Sequence, residues 1–245
     1  MYIILATSNV HKRIEINNIF SHYEIKGIEI VSFSDFIEPF EIVENGSTFA
    51  QNAKIKAKAI YKALNEYFSN KNSTKNFLVL SEDSGLCIEA LNGAPSVYSA
   101  RFKDINIHNF ACGGSQHFDD DNRDTWVRYQ ANLPRTLNTD SINVERVVYE
   151  LGLRGLESSN ATFVANMCLF GKLNKTKNPL CEHFDGILKG RVVTQKSGDK
   201  GFGYDPIFIP DGYTQTLAQI TNKDSLSHRK MALEQCIEFL RKTLC

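Results

Sequence analysis

Four short stretches hold the residues best suited to chemistry. The first is Ser81-Glu82-Asp83-Ser84-Gly85-Leu86, which follows the apolar run Phe77-Leu78-Val79-Leu80. Two adjacent carboxylates at the end of a buried strand are unfavourable unless they are paired or bind metal, and α/β proteins collect ligands where strands end. Glu82 and Asp83 are therefore read as facing a cleft and binding a divalent cation. The competing reading is a solvated turn of ordinary turn residues. The second stretch is Thr7-Ser8-Asn9 with Lys12. Hydroxyls, an amide and backbone N–H groups at a helix start, beside a full positive charge, make a phosphate cradle in kind. The same residue types also cap helices with no ligand present. The third is Gly201-Phe202-Gly203, where a planar base could stack on an uncrowded ring or the ring could simply enter the core. The fourth is His228-Arg229, two donors at a helix start.

Regular elements must position these groups. Tyr2 to Ala6 reads as a buried strand, Thr7 to Lys12 as a strand-to-helix turn, and Ile14, Ile16, Ile19 and Phe20 as the apolar face of a helix. Residues 28–33 read as a second strand. Ser47 or Thr48 caps a helix from Phe49 to Phe68 carrying Ala53, Ala57, Ile60 and Leu64, whose lysines (54, 56, 58 and 62) read mostly as a solvated face. Helical spacing returns at residues 142–151. Residues 161–170 and 181–193 read as an antiparallel strand pair, and residues 224–230 cap a last helix. Between them, residues 103–141 are polar and irregular. Asp119-Asp120-Asp121 falls there and reads as loop, not as a metal scaffold.

The 245 residues allow one large domain or two small ones. No repeat or internal boundary stands out, so a single domain over 1–245 is expected, with an extended loop and helix segment at about 103–160. Lys plus Arg and Asp plus Glu both number 28, leaving no basic excess to track a nucleic-acid polymer. The six cysteines include no CxxC pair, so zinc is not expected and no disulfide can be deduced. The sequence shows neither a leader pattern nor an apolar run of membrane-spanning length. The expectation is a reduced, cytoplasmic protein with no membrane or nucleic-acid partner.

Six segments in order, ILATSNVHK (4–12), ENGSTFAQNAKIKA (44–57), SEDSGL (81–86), LNGAPSVYSARF (91–102), GFGYDPIFIP (201–210) and SHRKMAL (227–233), resemble the inosine triphosphate pyrophosphatase family, also described as XTP/dITP diphosphatases. The resemblance reaches from one end of the chain to the other. It implies an elongated, two-lobed α/β fold with a long mixed sheet flanked by helices, an active-site cleft between the lobes, and usually a homodimer. It also implies Mg²⁺-dependent hydrolysis of dITP, ITP or XTP to the monophosphate and pyrophosphate. Thr7, Ser8, Asn9 and Lys12 fall on the phosphate-binding turn, and Lys56 on the lysine of the following helix. Glu44 and Asp83 fall on the catalytic and metal carboxylates, with Lys12 beside them and Glu82 a further metal candidate. Ser84 falls on a substrate-binding hydroxyl. Phe202, Gly203, Tyr204 and Asp205 fall on the nucleobase loop. Lys223, His228 and Arg229 fall on the remaining nucleotide contacts.

Chemistry at the residues agrees with this. Phosphoryl transfer is largely positioning and electrostatics, so no covalent nucleophile is required, and donors such as His228 and Arg229 suit a 6-oxo purine edge that adenine lacks. Several positions depart from the family pattern: Ser8 and Ser96 stand where Gly is common, Glu82 where an Asp is usual, and Gln51 where a Glu is common. A Maf-like pyrophosphatase of other specificity, or a catalytically silent nucleotide-binding module, are the alternatives.

Overall fold

In the computed structural model of the chain, all residues are described except 24, 26, 72–75, 106–120, 174–177, 222–225 and 245. Six strands form one mixed sheet in the order β2-β1-β3-β4-β5-β6. The strands are β1 (Tyr2–Leu5), β2 (Glu29–Ser32), β3 (Phe77–Ile88), β4 (Ser158–Gly171), β5 (Leu180–Val193) and β6 (Phe208–Pro210). β1 runs parallel to both β2 and β3, and β5 runs antiparallel to β6. Among the described residues the α-helices are α1 (Val10–His22), α2 (Phe49–Asn70), α3 (Asp121–Ala131), α4 (Thr139–Leu153) and α5 (His228–Leu244). None of the described helices is long and apolar enough to cross a membrane.

The chain divides into two compact units. The first holds Met1–Ser84, Ala165–Ile187 and Ser227–Cys245; the second holds Gly85–Val164 and Leu188–Leu226. Within the first unit, strand alternation sorts side chains to two helical layers. Ile3, Leu5, Leu78, Leu80, Met167 and Leu169 pack with α1 and α5. Ile4, Val79, Phe77, Cys168 and Phe170 pack with α2. The stripe Phe49, Ala53, Ala57, Ile60, Leu64, Phe68 of α2 is buried at three- and four-residue spacing. Its alanines let the helix close onto β3, where Ser81 Oγ donates to the Ala53 carbonyl at 2.6 Å.

The second unit has its own core around Leu86, Phe102, Val147, Phe163 and Phe208. Part of the segment expected to be irregular is helical here. The Trp126 indole of α3 donates to the Lys103 carbonyl at 3.0 Å, and the Arg146 guanidinium of α4 lies 4.6 Å from the Trp126 ring centre. Arg146 also pairs with Glu150 at 2.6 Å. The few apolar residues of α3, among them Trp126 and the Tyr129 ring stacked on it, gave too little periodicity to reveal the helix. Of the Asp119–Asp121 run, 119 and 120 lie outside the described residues.

Candidate active site

The opening carboxylate pair is not at a strand end. β3 continues through it to Ile88, and Glu82 and Asp83 are both buried, at 4% and 8% exposure. The turn-like composition misled here: every residue from Ser81 to Ile88 is held by the sheet. Because successive strand residues point to opposite faces, the two carboxylates enter different surroundings. Glu82 joins the side of α1 and α5, while Asp83 joins the side of α2.

On the α1 and α5 side, Lys12 Nζ lies 2.8 Å from Glu82 Oε2, an ionic contact without hydrogen-bond alignment. The Arg229 guanidinium donates to Glu82 Oε1 from Nε at 3.3 Å and from Nη2 at 3.2 Å, and Nη2 also reaches Ser84 Oγ at 3.2 Å. Its Nη1 pairs closely with Glu15 Oε2, and Ser227 Oγ bonds the other Glu15 oxygen. Burial by itself would raise the Glu82 carboxyl, yet Arg229 and then Lys12 hold it well below the usual carboxylate range. Arg229 stays firmly protonated: burial opposes its charge, and Glu82 and Glu15 more than offset this.

On the α2 side, Lys56 Nζ bridges Glu44 Oε2 at 2.7 Å and Asp83 Oδ1 at 3.1 Å. Asn52, one helical turn before Lys56 and almost fully buried, donates to Asp83 Oδ2 at 3.2 Å. Its own Oδ1 accepts from the Gly46 N–H at 2.8 Å, so one amide ties the Glu44 loop to Asp83. Gly46 is required by this approach, since a Cβ there would stand 2.7 Å from Asn52 Oδ1 and 2.6 Å from Gln51 Cβ. Burial pushes the Asp83 carboxyl up, with Lys56 and Lys12 opposing and Glu44 adding to the rise. Lys56 is raised: desolvation lowers it, but Asp83 and Glu44 prevail.

Thr7 and Asn9 are at work locally. The Asn9 side chain caps α1 by accepting from the Lys12 N–H at 3.1 Å, and Thr7 Oγ1 accepts from the Asn9 N–H at 3.2 Å. The cap fixes Lys12 in the first turn, aimed at Glu82; Ser8 is exposed beside it. Thr48 caps α2, and Gln51 accepts from both the Ser47 N–H and hydroxyl at 2.7 and 3.0 Å. That reach-back needs only an acceptor, so Gln serves as well as the usual Glu. Ser96 sits at φ 50°, left-handed backbone that explains why glycine is common there.

In the second unit, the expected nucleobase loop divides by role. Tyr204 is buried and donates to the Ser99 carbonyl at 2.7 Å, and the buried Asp205 accepts from the Phe202 N–H at 3.1 Å. These two hold the loop's shape. The Gly203 N–H donates to Asp140 at 3.2 Å, and the Phe202 ring is half-exposed. Lys223 lies outside the described residues.

Sequence reading missed Asn52, Glu15 and Gly186. Asn52 and Glu15 had a usable signal: each stands three or four residues from a lysine that was singled out. Gly186 of β5 had none. A Cβ there would fall 1.7 Å from the His228 carbonyl oxygen, so glycine lets the first turn of α5 lie against β5 and carry Arg229 to Glu82.

Comparison with known proteins gives a consistent picture. A family profile described as Ham1 family matches residues 3–122 and 126–239. The chain is 37% identical over 236 residues to the dITP/XTP pyrophosphatase of Campylobacter jejuni, covering 96% of this chain and 94% of that protein. It is 35% identical over 260 residues to the dITP/XTP pyrophosphatase of Helicobacter hepaticus, covering 98% of each. Among solved structures, a HAM1 protein from Coxiella burnetii superposes with a TM-score of 0.71 at 26% identity, covering 99% of this chain and 100% of that one. The Staphylococcus aureus Ham1 protein gives 0.67 at 28% identity, covering 99% of each.

Proposed function

The chain belongs to the Ham1 family, and on that premise we propose that it hydrolyses non-standard purine nucleoside triphosphates (dITP, ITP, XTP) to the nucleoside monophosphate and pyrophosphate. The observation that carries the chemistry is the Lys56 ammonium held between the Glu44 and Asp83 carboxylates. Anionic and cationic groups converge there on one small volume, as hydrolysis of a polyanion by water requires.

Lys12 and Lys56 neutralise phosphate oxygens. Water adds to the α-phosphorus, the bond from that phosphorus to the α–β bridging oxygen breaks, and pyrophosphate leaves with the bridging oxygen. The water proton passes to a carboxylate. Asp83, buried beside the Glu44–Lys56 pair, is the carboxylate assigned to accept it. Asn52 and Lys56 fix both Asp83 oxygens in place meanwhile. An all-oxygen pair such as Glu44 and Asp83 fits a hard dication, and these two residues would hold Mg²⁺. When bound, Mg²⁺ supplies neutralising charge and lowers the pKa of a water. Glu82 orients Lys12 from its Oε2 and Arg229 from its Oε1, and it is a further candidate to hold the ion, since its buried Oε2 accepts no hydrogen bond.

Arg229 is occupied with Glu82, Glu15 and Ser84, so we assign it to positioning. His228 and Phe202 keep the nucleobase contacts that the resemblance implies. A cytoplasmic homodimer acting as a single domain over 1–245 belongs to the same proposal. The test is a nucleotide panel with Mg²⁺ that separates pyrophosphate from orthophosphate. Pyrophosphate from dITP, ITP and XTP, with ATP and GTP poor, is expected; orthophosphate as the direct product overturns the proposal.

A further inference from the structure

Away from the carboxylates, β4 and β5 bring two cysteines and a histidine together on their α2 side. Among the described residues, Cys168, Cys181 and His183 form the only group of three His, Cys, Asp or Glu side chains whose ligand atoms all lie within 4.8 Å of one another. Cys181 and His183 are two residues apart on β5 and so share a face; Cys168 belongs to the adjacent strand. We infer that these three side chains form a zinc site.

The spacing fits. Ligand atoms of tetrahedral zinc stand about 3.6 Å apart, from Zn–S and Zn–N distances of about 2.3 and 2.0 Å. Cys181 Sγ and His183 Nε2 are 3.9 Å apart. The imidazole is also oriented from behind. The Asn166 amide nitrogen donates to Asp185 Oδ1 at 2.7 Å, since a carboxylate oxygen accepts. That turns Asn166 Oδ1 toward His183 Nδ1, at 2.8 Å, which puts the ring proton on Nδ1. The Nε2 lone pair then faces the Cys181 sulfur. An acceptor behind a histidine ligand is the usual outer shell of a metal site.

The environment selects the ion. Cys168 is fully buried, while Cys181 and His183 are half-buried and leave a path from solvent. Two thiolates, a neutral imidazole and Zn²⁺ sum to zero charge, so the complex avoids the cost of a buried net charge. Three protein ligands with one water complete the tetrahedron. Sequence spacing hid the site because its ligands come from two strands.

The test is an anaerobic Co²⁺ titration of the reduced, metal-stripped full chain. One equivalent should give visible bands of tetrahedral cobalt and a thiolate-to-cobalt charge-transfer band, both bleached by Zn²⁺. Weak octahedral binding at carboxylates gives no thiolate band, so the two sites are told apart. Cys181→Ser and His183→Gln should lose the charge-transfer spectrum while keeping wild-type circular dichroism. Asn166→Ala should weaken affinity by about 10–100-fold, and Cys112→Ser with Cys245→Ser should bind as wild type. Absence of the thiolate band overturns the inference. So does its survival in both Cys181→Ser and His183→Gln, or a Cys168–Cys181 disulfide whose reduction restores no Co²⁺ binding.

Discussion

Replacing Glu82 by Gln tests the network that aims Lys12. The Glu82 and Arg229 side chains are 1% and 2% exposed with a closest contact of 3.2 Å, so solvent screens them little. At an effective dielectric of about 20, unit charges at that distance attract by about 5 kcal/mol. Removing one partner of a buried pair costs about 3–5 kcal/mol, because the other is left uncompensated. For a chain of this size that lowers Tm by about 6–20 °C. Arg229→Met should cost as much. The double variant should recover part of the loss, since Lys12 and Glu15, each 19% exposed, can turn to solvent. The assay is thermal and urea unfolding of the four proteins. If the two single costs add to within about 0.5 kcal/mol in the double variant, the pair is not coupled and the reasoning fails. The pH dependence has a definite sign. Glu82 is held below its ordinary 4.5, so its contribution is fully present above about pH 4.5 and is lost as pH falls through the lower folded value. The Tm gap between wild type and Glu82→Gln should therefore hold from neutral pH down to about 4.5 and shrink only below it.

Asp83→Asn should lower kcat by about 100-fold or more while nucleotide still binds; near-normal turnover removes Asp83 from proton transfer. His228→Ala should reduce the preference for ITP over ATP by about tenfold, the worth of about 1.4 kcal/mol, and an unchanged ratio of kcat/KM values sinks the base-reading role. Gly186→Ala drives a methyl into the His228 carbonyl and should cost about 1–3 kcal/mol or more. An unchanged Tm would show that α5 can retreat from β5 at no cost.

The sequence by itself determined the type and order of most elements, and the family. Apolar periodicity marked β1, α1, α2, α4 and β4, and the Asn9 and Thr48 caps stood at their helix starts. Six motifs identified Lys12, Glu44, Lys56, Asp83 and Arg229 as residues that belong together. What only tertiary structure decided is which of them touch. Local patterns report what a residue's neighbours in sequence need, whereas a buried charge is settled by whatever strand alternation and helix packing bring opposite it. Glu82 and Asp83 are adjacent in sequence, yet the pleat sends one to Arg229 and Lys12 and the other to Lys56 and Asn52. Cys168 and His183 are fifteen positions apart, yet adjacent strands place their ligand atoms within 4.8 Å. Gly186 shows the same limit from the other side: its importance lies in a helix more than forty residues later, a distance at which no local pattern carries information.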